Sequence, residues 1–325
     1  MNKSLIALAV LSSVACIASA QSNVTLYGRL DAGLGKAFGG QLQMIGNYKE
    51  TSMWGVRGQE DLGDGMKASF NFEQGINIED GALTGGATGA WNRAAWLALG
   101  GGFGEFAMGR MTTAQNRTMG TFDLNGTANN TSALKNLGLD ADGSLGGNRA
   151  NSQFMYTSPN LSGFQARASM ILKEDKGAAP AAPAIDTRKS SYQLAASYKN
   201  GPLSLGAVVQ SKLAVGASNR TGFALGARYD FQSFLVSALY TQDESRNTGK
   251  GFGLGVAVPM GAWVVGAQLA RVTDNPNPAR EDATAYELFA NYSLSKRTML
   301  YAGYGGLNSA GKVVKGTTGS NTFGL

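Results

Sequence analysis

The chain has 325 residues, 43% hydrophobic and 15% charged, with 46 Gly, one Cys, no His and a net charge of +6. Without histidine there is no Ser-His or Cys-His dyad and no imidazole ligand, so any metal site would have to be all-oxygen. The net charge is modest for this length and gives no ground for nucleic-acid binding, while the charged fraction is low for a soluble domain.

In chain order, Lys3, the apolar run from Leu5 to Ala18 and the small residues Ala18-Ser19-Ala20 read as a signal peptide over residues 1–20, with the mature chain starting at Gln21. A lipid anchor on Cys16 is the rival reading, but Ser13 stands where such signals usually carry Leu. The run is also short of the ~20 residues a membrane helix needs. Cleavage removes Cys16 and leaves no disulfide chemistry.

The mature chain then alternates with period two. Val24 to Leu34 places Tyr27, Arg29 and Asp31 on one face and apolar residues on the other. Met66, Ala68, Phe70 and Phe72 alternate with Lys67, Ser69, Asn71 and Glu73; Phe164, Ala166, Ala168 and Met170 alternate with Gln165, Arg167 and Ser169. Tyr286, Leu288, Ala290 and Tyr292 share a face opposite Glu287 and Asn291. Each such strand buries one side only.

Connections alternate in length. Short turns fall near 61–65, 101–104, 159–163, 200–202, 231–233, 259–261 and 294–296; longer polar loops fall near 35–50, 77–91, 111–148, 173–189, 213–220, 243–249, 272–282 and 307–318. Counting segments gives about 16 antiparallel strands, and an even strand number with short turns at one end and long loops at the other marks a transmembrane β-barrel. The fold class is therefore all-β over residues 21–325. Gly251 to Ala270 has no charge and is long enough for a membrane helix, but its glycines and the Pro259-Met260-Gly261 break favour two strands and a tight turn. Its small and polar side, with Gln268, would pack on a loop or a neighbouring subunit. Tyr27, Trp54, Trp96, Tyr156, Trp263, Tyr286 and Tyr292 suit interfacial aromatic girdles. Glu60 to Gly65 (EDLGDG) is the nearest approach to a calcium loop and lacks the later bidentate acid. The segment Arg110 to Arg149, rich in Asn, Thr and Gly, is too long for an idle connection.

Taken together, QSNVTLYGRLDAGL, WGVRGQEDLGDGMKASFNFEQG, GGGFGEFAMGR, NRANSQFMYTSPNLSGFQAR and YELFANYSLSKRTMLYAGYG resemble the general diffusion porins of Gram-negative outer membranes, in their beta-proteobacterial form. The resemblance covers nearly all of residues 21–325. It implies a 16-stranded barrel, usually a homotrimer, set in outer-membrane lipid and lipopolysaccharide. It also implies a third outer loop, here about 111–148, folded inward to face a ladder of basic residues.

By position, the ladder falls on Arg29, Arg93 and Arg149, with Arg57 near the same wall, and the loop acid on Asp123, opposite Arg149. Parity sets Trp96 on the lipid side and groups Arg149 with Asn151 and Gln153. Further lumen-facing candidates are Tyr27, Asp31, Lys67, Glu73, Arg110 and Arg167, with Arg110 also suited to tying the loop base to the wall. Met53 stands where the family usually has another arginine, which weakens the expected positive field. The sequence stops at Thr322-Phe323-Gly324-Leu325, short of the family's terminal aromatic residue, so the last strand reads as truncated.

The expected function is passive passage of small hydrophilic solutes and inorganic anions, with modest anion preference. No catalytic residue, cofactor, metal or nucleic-acid partner is expected. A channel specific for a particular anion or small metabolite is the alternative. A surface adhesin would leave the basic ladder unexplained, and an enzyme would have neither His nor a GxSxG elbow. Gly251-Phe252-Gly253 lies within a strand and is a weak nucleotide-binding signal.

Overall fold

A computed structural model describes residues 23–85, 89–140, 147–172, 190–215, 218–243, 249–275 and 277–325. The expected signal peptide lies outside the described residues.

The described residues form one sheet of 18 strands. They are β1 (Asn23–Arg29), β2 (Ala32–Lys36), β3 (Gln43–Gly46), β4 (Met53–Gly63), β5 (Met66–Gly75), β6 (Ala94–Gly101), β7 (Gly104–Thr112), β8 (Arg149–Thr157) and β9 (Phe164–Ile171). The others are β10 (Ser191–Asn200), β11 (Leu203–Val215), β12 (Ser218–Asp230), β13 (Leu235–Asp243), β14 (Gly249–Met260), β15 (Trp263–Asp274), β16 (Thr284–Ser293), β17 (Met299–Leu307) and β18 (Asn321–Gly324).

Every described pairing is antiparallel. Partners run from β1 on β4 through each successive strand to β18, and β18 pairs with β2, opposing Phe323 to Lys36 and Gly324 to Gly35. The segment 35–50, expected as loop, is strand at 35–36 and again at 43–46, and most of 213–220 is strand as well. Gly251 to Ala270 is the β14–β15 hairpin, turning at Gly261. The β4–β5 hairpin turns on Asp64 and Gly65, whose φ of 51° and 75° give the left-handed pair that follows strand twist.

The sheet has two faces, and their exposure is inverted relative to a soluble fold. Leu26 and Leu194 are 71% and 64% exposed, whereas Gln193 and Glu287 are fully buried. One row on the apolar face runs Leu26, Val56, Phe72, Ala95, and a neighbouring row on the polar face runs Thr25, Arg57, Asn71, Trp96. A face of exposed leucines is stable only against an apolar medium, and in such a medium the backbone must pair with itself, as this sheet does.

Aromatic clusters mark both ends of the apolar face. Phe103, Phe106 and Tyr156, then Tyr229, Phe231 and Phe234, then Trp263 and Tyr292 gather at the short turns. Trp54, Phe72 and Trp91, and Tyr286 with Tyr304, gather towards the long loops. Two of the aromatics expected in these girdles belong elsewhere. These are Tyr27 and Trp96, both on the polar face: Tyr27 lies in the row of Gly55 and Glu73, and β6 begins at Ala94 with a register that sets Trp96 opposite Asn71. Counting parity from Arg93, which precedes the strand, inverts that assignment.

Candidate functional site

The long segment after β7 is anchored at its base and along its length. Thr113 donates its backbone N–H to Asn148 O at 3.0 Å and its hydroxyl to Gly147 O at 2.8 Å. Its Oγ also caps helix α1 (Ala114–Met119) by accepting from Asn116 N. Ser132 caps the second short helix, α2 (Ala133–Asn136), in the same way.

Apolar residues of the segment then seat on glycines of the polar face. Phe122 lies against Gly206 and Gly226, Leu134 against Gly253, Leu139 against Gly251, and Thr131 against Gly303 and Gly305. A Cβ at Gly226 would stand 2.2 Å from Phe122 Cδ2, so the wall carries glycine where the ring must fit. The small face of Gly251 to Ala270 therefore holds the loop. Phe122, Met119, Leu134, Leu137 and Leu139 are buried in one cluster with strand residues Met111, Met155, Val208 and Leu239.

A polar network fixes the middle of the segment. Gln268 on β15 donates from Nε2 to Asp123 Oδ1 at 3.0 Å and to Glu287 Oε2 at 2.8 Å, and accepts from Leu124 N at 2.9 Å. Asn125 donates to Glu287 Oε1 at 2.6 Å, and Lys49 Nζ donates to Asn125 O at 2.7 Å. Asp123, expected as the acid opposite the arginines, is instead buried, accepting from Asn125 N, Gln268 and the Ser132 hydroxyl. A carboxylate so enclosed holds the loop together rather than facing solute. The loop had no period from which this burial could be read.

Asp31 is a second hub. It is buried and accepts from the N–H groups of Tyr48 (3.2 Å), Lys49 (3.1 Å) and Glu50 (2.6 Å) and from Tyr301 OH (2.8 Å). The segment it organises meets the loop, since Asn129 N donates to Lys49 O and Asn130 N to Tyr48 O. Asp31→Ala leaves several buried donors unmatched, at about 1–3 kcal/mol each. The expected result is a lower unfolding temperature by circular dichroism in detergent and a noisier single-channel current; an unchanged melting curve would count against this role.

The arginines stand apart from these hubs. Arg29 pairs with Glu50 at 2.8 Å and donates to Thr51 O. Arg57 is exposed, lies over the Tyr27 ring at 5.1 Å, and makes no ion pair among the described residues. Tyr27 OH hydrogen-bonds to Asn71 Oδ1 at 2.8 Å and Glu73 Oε2 at 3.0 Å, and Arg93 pairs with Glu73 at 2.5 Å. Arg149 donates from Nε to Arg93 O at 2.9 Å. Met53 does stand in the row of Arg29. Lys67 is on the polar face near the short turns.

Two placements depart from parity. A register shift between Gly109 and Met111, with Ser152 at φ 47°, makes Arg149 the partner of Thr112, so it does not share a face with Gln153 by simple alternation. Arg110 pairs with Ala95 in the row of Phe72, towards the apolar face, and ties the wall by donating to Asn92 O at 2.6 Å and to Asn151 Oδ1 at 2.5 Å. Arg167 reaches the loop helix, donating to Thr118 Oγ1 at 3.3 Å. Arg117 on that helix was not singled out by sequence reasoning. Burial pushes its guanidinium pKa down, and the charge of Glu105 opposes this. Lys49 and Glu50 were missed too, because they sit in a stretch that reads as loop.

A profile of the family described as "Gram-negative porin" matches residues 7–311. The outer membrane porin protein 32 of Delftia acidovorans is 33% identical over 319 residues, covering 93% of this chain and 88% of the relative. An outer membrane porin protein of Bordetella pertussis is 27% identical, covering 93% of each. Among solved structures, an anion-selective porin from Comamonas acidovorans superposes with a TM-score of 0.73 at 26% identity, covering 94% of this chain and 97% of that one. Salmonella typhi OmpF shares the fold alone, at 13% identity and a TM-score of 0.70. With its apolar outer face, paired antiparallel strands and these relatives, the chain belongs to the Gram-negative porins, channel proteins of the outer membrane.

Proposed function

We propose that the chain forms a closed 16-stranded barrel, β1 with β2 and β3 with β4 each counting as one crossing strand, through which small hydrophilic solutes diffuse passively with modest anion preference. The loop of residues 113–140 is the constriction, reached from inside the barrel. The observation that carries this reading is the packing of the loop on the polar face of a sheet whose other face exposes leucine. Strand length fits: the 12 residues of β14 extend about 40 Å, enough to cross at the usual tilt.

The charge preference follows from Arg29, Arg57, Arg93 and Arg149, with Arg167 and Arg117 on the loop side. It is modest because Glu50 and Glu73 neutralise Arg29 and Arg93. Asp123 contributes to loop position. The anion selectivity named for the Comamonas relative agrees in sign.

In planar bilayers with a KCl gradient, the expected zero-current potential has the sign of anion preference, and a series of sugars gives a smooth size cut-off. Clear cation preference would overturn the charge assignment; saturable block by one neutral sugar would favour a specific channel. Assembly as a homotrimer in outer-membrane lipid and lipopolysaccharide belongs to the same proposal, and cross-linking in detergent should stop at three chains.

A further inference from the structure

On the polar face, between the level of Glu73 and the short turns, lies a recess of about 490 Å³, lined among others by Thr25, Arg57, Gln59, Asn71, Trp96 and Glu105. Trp96 packs on the buried cluster that holds the loop and also borders the recess. Beside it in register is Gly109, at φ 126°, where a Cβ would stand 2.9 Å from Trp96 Cα.

Arg57, in the same row, is held over Tyr27 without a carboxylate partner among the described residues. Asn71 gives its Oδ1 to the Tyr27 hydroxyl, which leaves its amide N–H groups as donors. The recess therefore offers a guanidinium with no ion pair among the described residues, amide donors and an indole within two neighbouring strand pairs, with Glu105 the one carboxylate among its lining residues.

An inorganic anion would use the guanidinium and gain nothing from the indole. A neutral sugar would use the indole and the amide and gain nothing from the charge. A flat ring bearing a carboxylate uses all three. We propose that this recess is a binding subsite for aromatic monocarboxylates of the benzoate type, with the carboxylate on Arg57 and the ring against Trp96. The subsite rests on the channel reading above and adds a preferred solute class to it.

The test is current block in reconstituted channels by sodium benzoate, with acetate and a neutral phenyl glucoside alongside. Benzoate should block saturably at concentrations where acetate and the glucoside do not. Arg57→Gln and Trp96→Leu should each raise the half-blocking concentration roughly tenfold, a loss of about 1.4 kcal/mol. Trp96→Phe should retain block; if Trp96→Leu yields no channels, Arg57→Gln decides the matter, an unchanged half-blocking concentration overturning the proposal. Trp263→Leu, on the apolar face, should change nothing. Equal block by acetate and benzoate, block by the glucoside as strong as by benzoate, or full block in both Trp96 variants would overturn the proposal. A protein that gives no ionic current would overturn the channel reading itself, whereas current without benzoate-specific block overturns only the subsite.

Discussion

Arg57→Glu is expected to carry the zero-current potential across zero, from anion to cation preference, at low salt and with the fold intact. Arg57 is exposed and has no ion-pair partner among the described residues, so its replacement breaks only the contact with Tyr27. The change moves the local charge by two. A unit charge 4 Å from a passing ion contributes about 1 kcal/mol in water, so reversing it raises an anion by about 2 kcal/mol and lowers a cation by as much, an upper limit of about three orders of magnitude in the ratio of anion to cation permeability before screening. The shift should shrink as salt rises, since the Debye length falls from about 10 Å at 0.1 M to about 3 Å at 1 M. A reversal potential equal to wild type at low salt would take Arg57 out of the conducting path.

The same substitution at Arg93 is not a clean probe of selectivity. Its place in the basic ladder alone would make an acid there change selectivity with little change in fold. However, Arg93 and Glu73 form a pair whose side chains are only 13% and 14% exposed. A second carboxylate beside Glu73 would leave like charges together in a poorly hydrated place, and the backbone around Asn92 and Arg149 would have to adjust. Arg29→Glu meets the same difficulty with Glu50, less severely because Arg29 is more open to water. Of these three arginines, Arg29 and Arg93 are ion-paired, and Arg57 alone has no ion pair among the described residues.

The strands were legible because a half-buried strand writes its two faces into alternate residues, and the loop 111–148 because nothing in it alternates; β7 ends at Thr112 and β8 begins at Arg149. Alternation failed where the backbone does. The irregularity around Gly109 to Met111 uncouples Arg149 from Gln153, and Arg93 precedes its strand, so Trp96 was placed on the wrong side. Roles set by distant partners left no local trace. Asp31 reads as one more inward acid, yet its burial depends on Tyr48, Lys49, Glu50 and Tyr301, and that of Asp123 depends on Gln268 and Ser132. The glycines of Gly251 to Gly255 were a readable hint of close packing, but not of which residue packs on them.

Those glycines give the second large expected effect, one of opposite sign for two halves of a single contact. Phe122→Ala removes a ring that is 1% exposed and fills the space over Gly206 and Gly226, at a cost of about 3–5 kcal/mol in anchoring. The loop then loosens from β11 and β12, and the sugar size cut-off should rise with added current noise. Gly226→Leu does the reverse. A Cβ there already falls 2.2 Å from the ring, so the loop must shift away from this part of the wall, towards the arginines, at an overpacking cost of about 1–3 kcal/mol. Conductance and size cut-off should both fall. Combining Gly226→Leu with Phe122→Ala refills the space from the wall side, and the double variant should return towards wild-type conductance. Opposite effects on conductance would cancel even at independent sites, so unfolding in detergent is the deciding readout: both single variants lose stability, and two residues in direct contact should lose less together than the sum of the two losses. If the double variant loses the full sum, Phe122 and Gly226 do not jointly set the position of the loop.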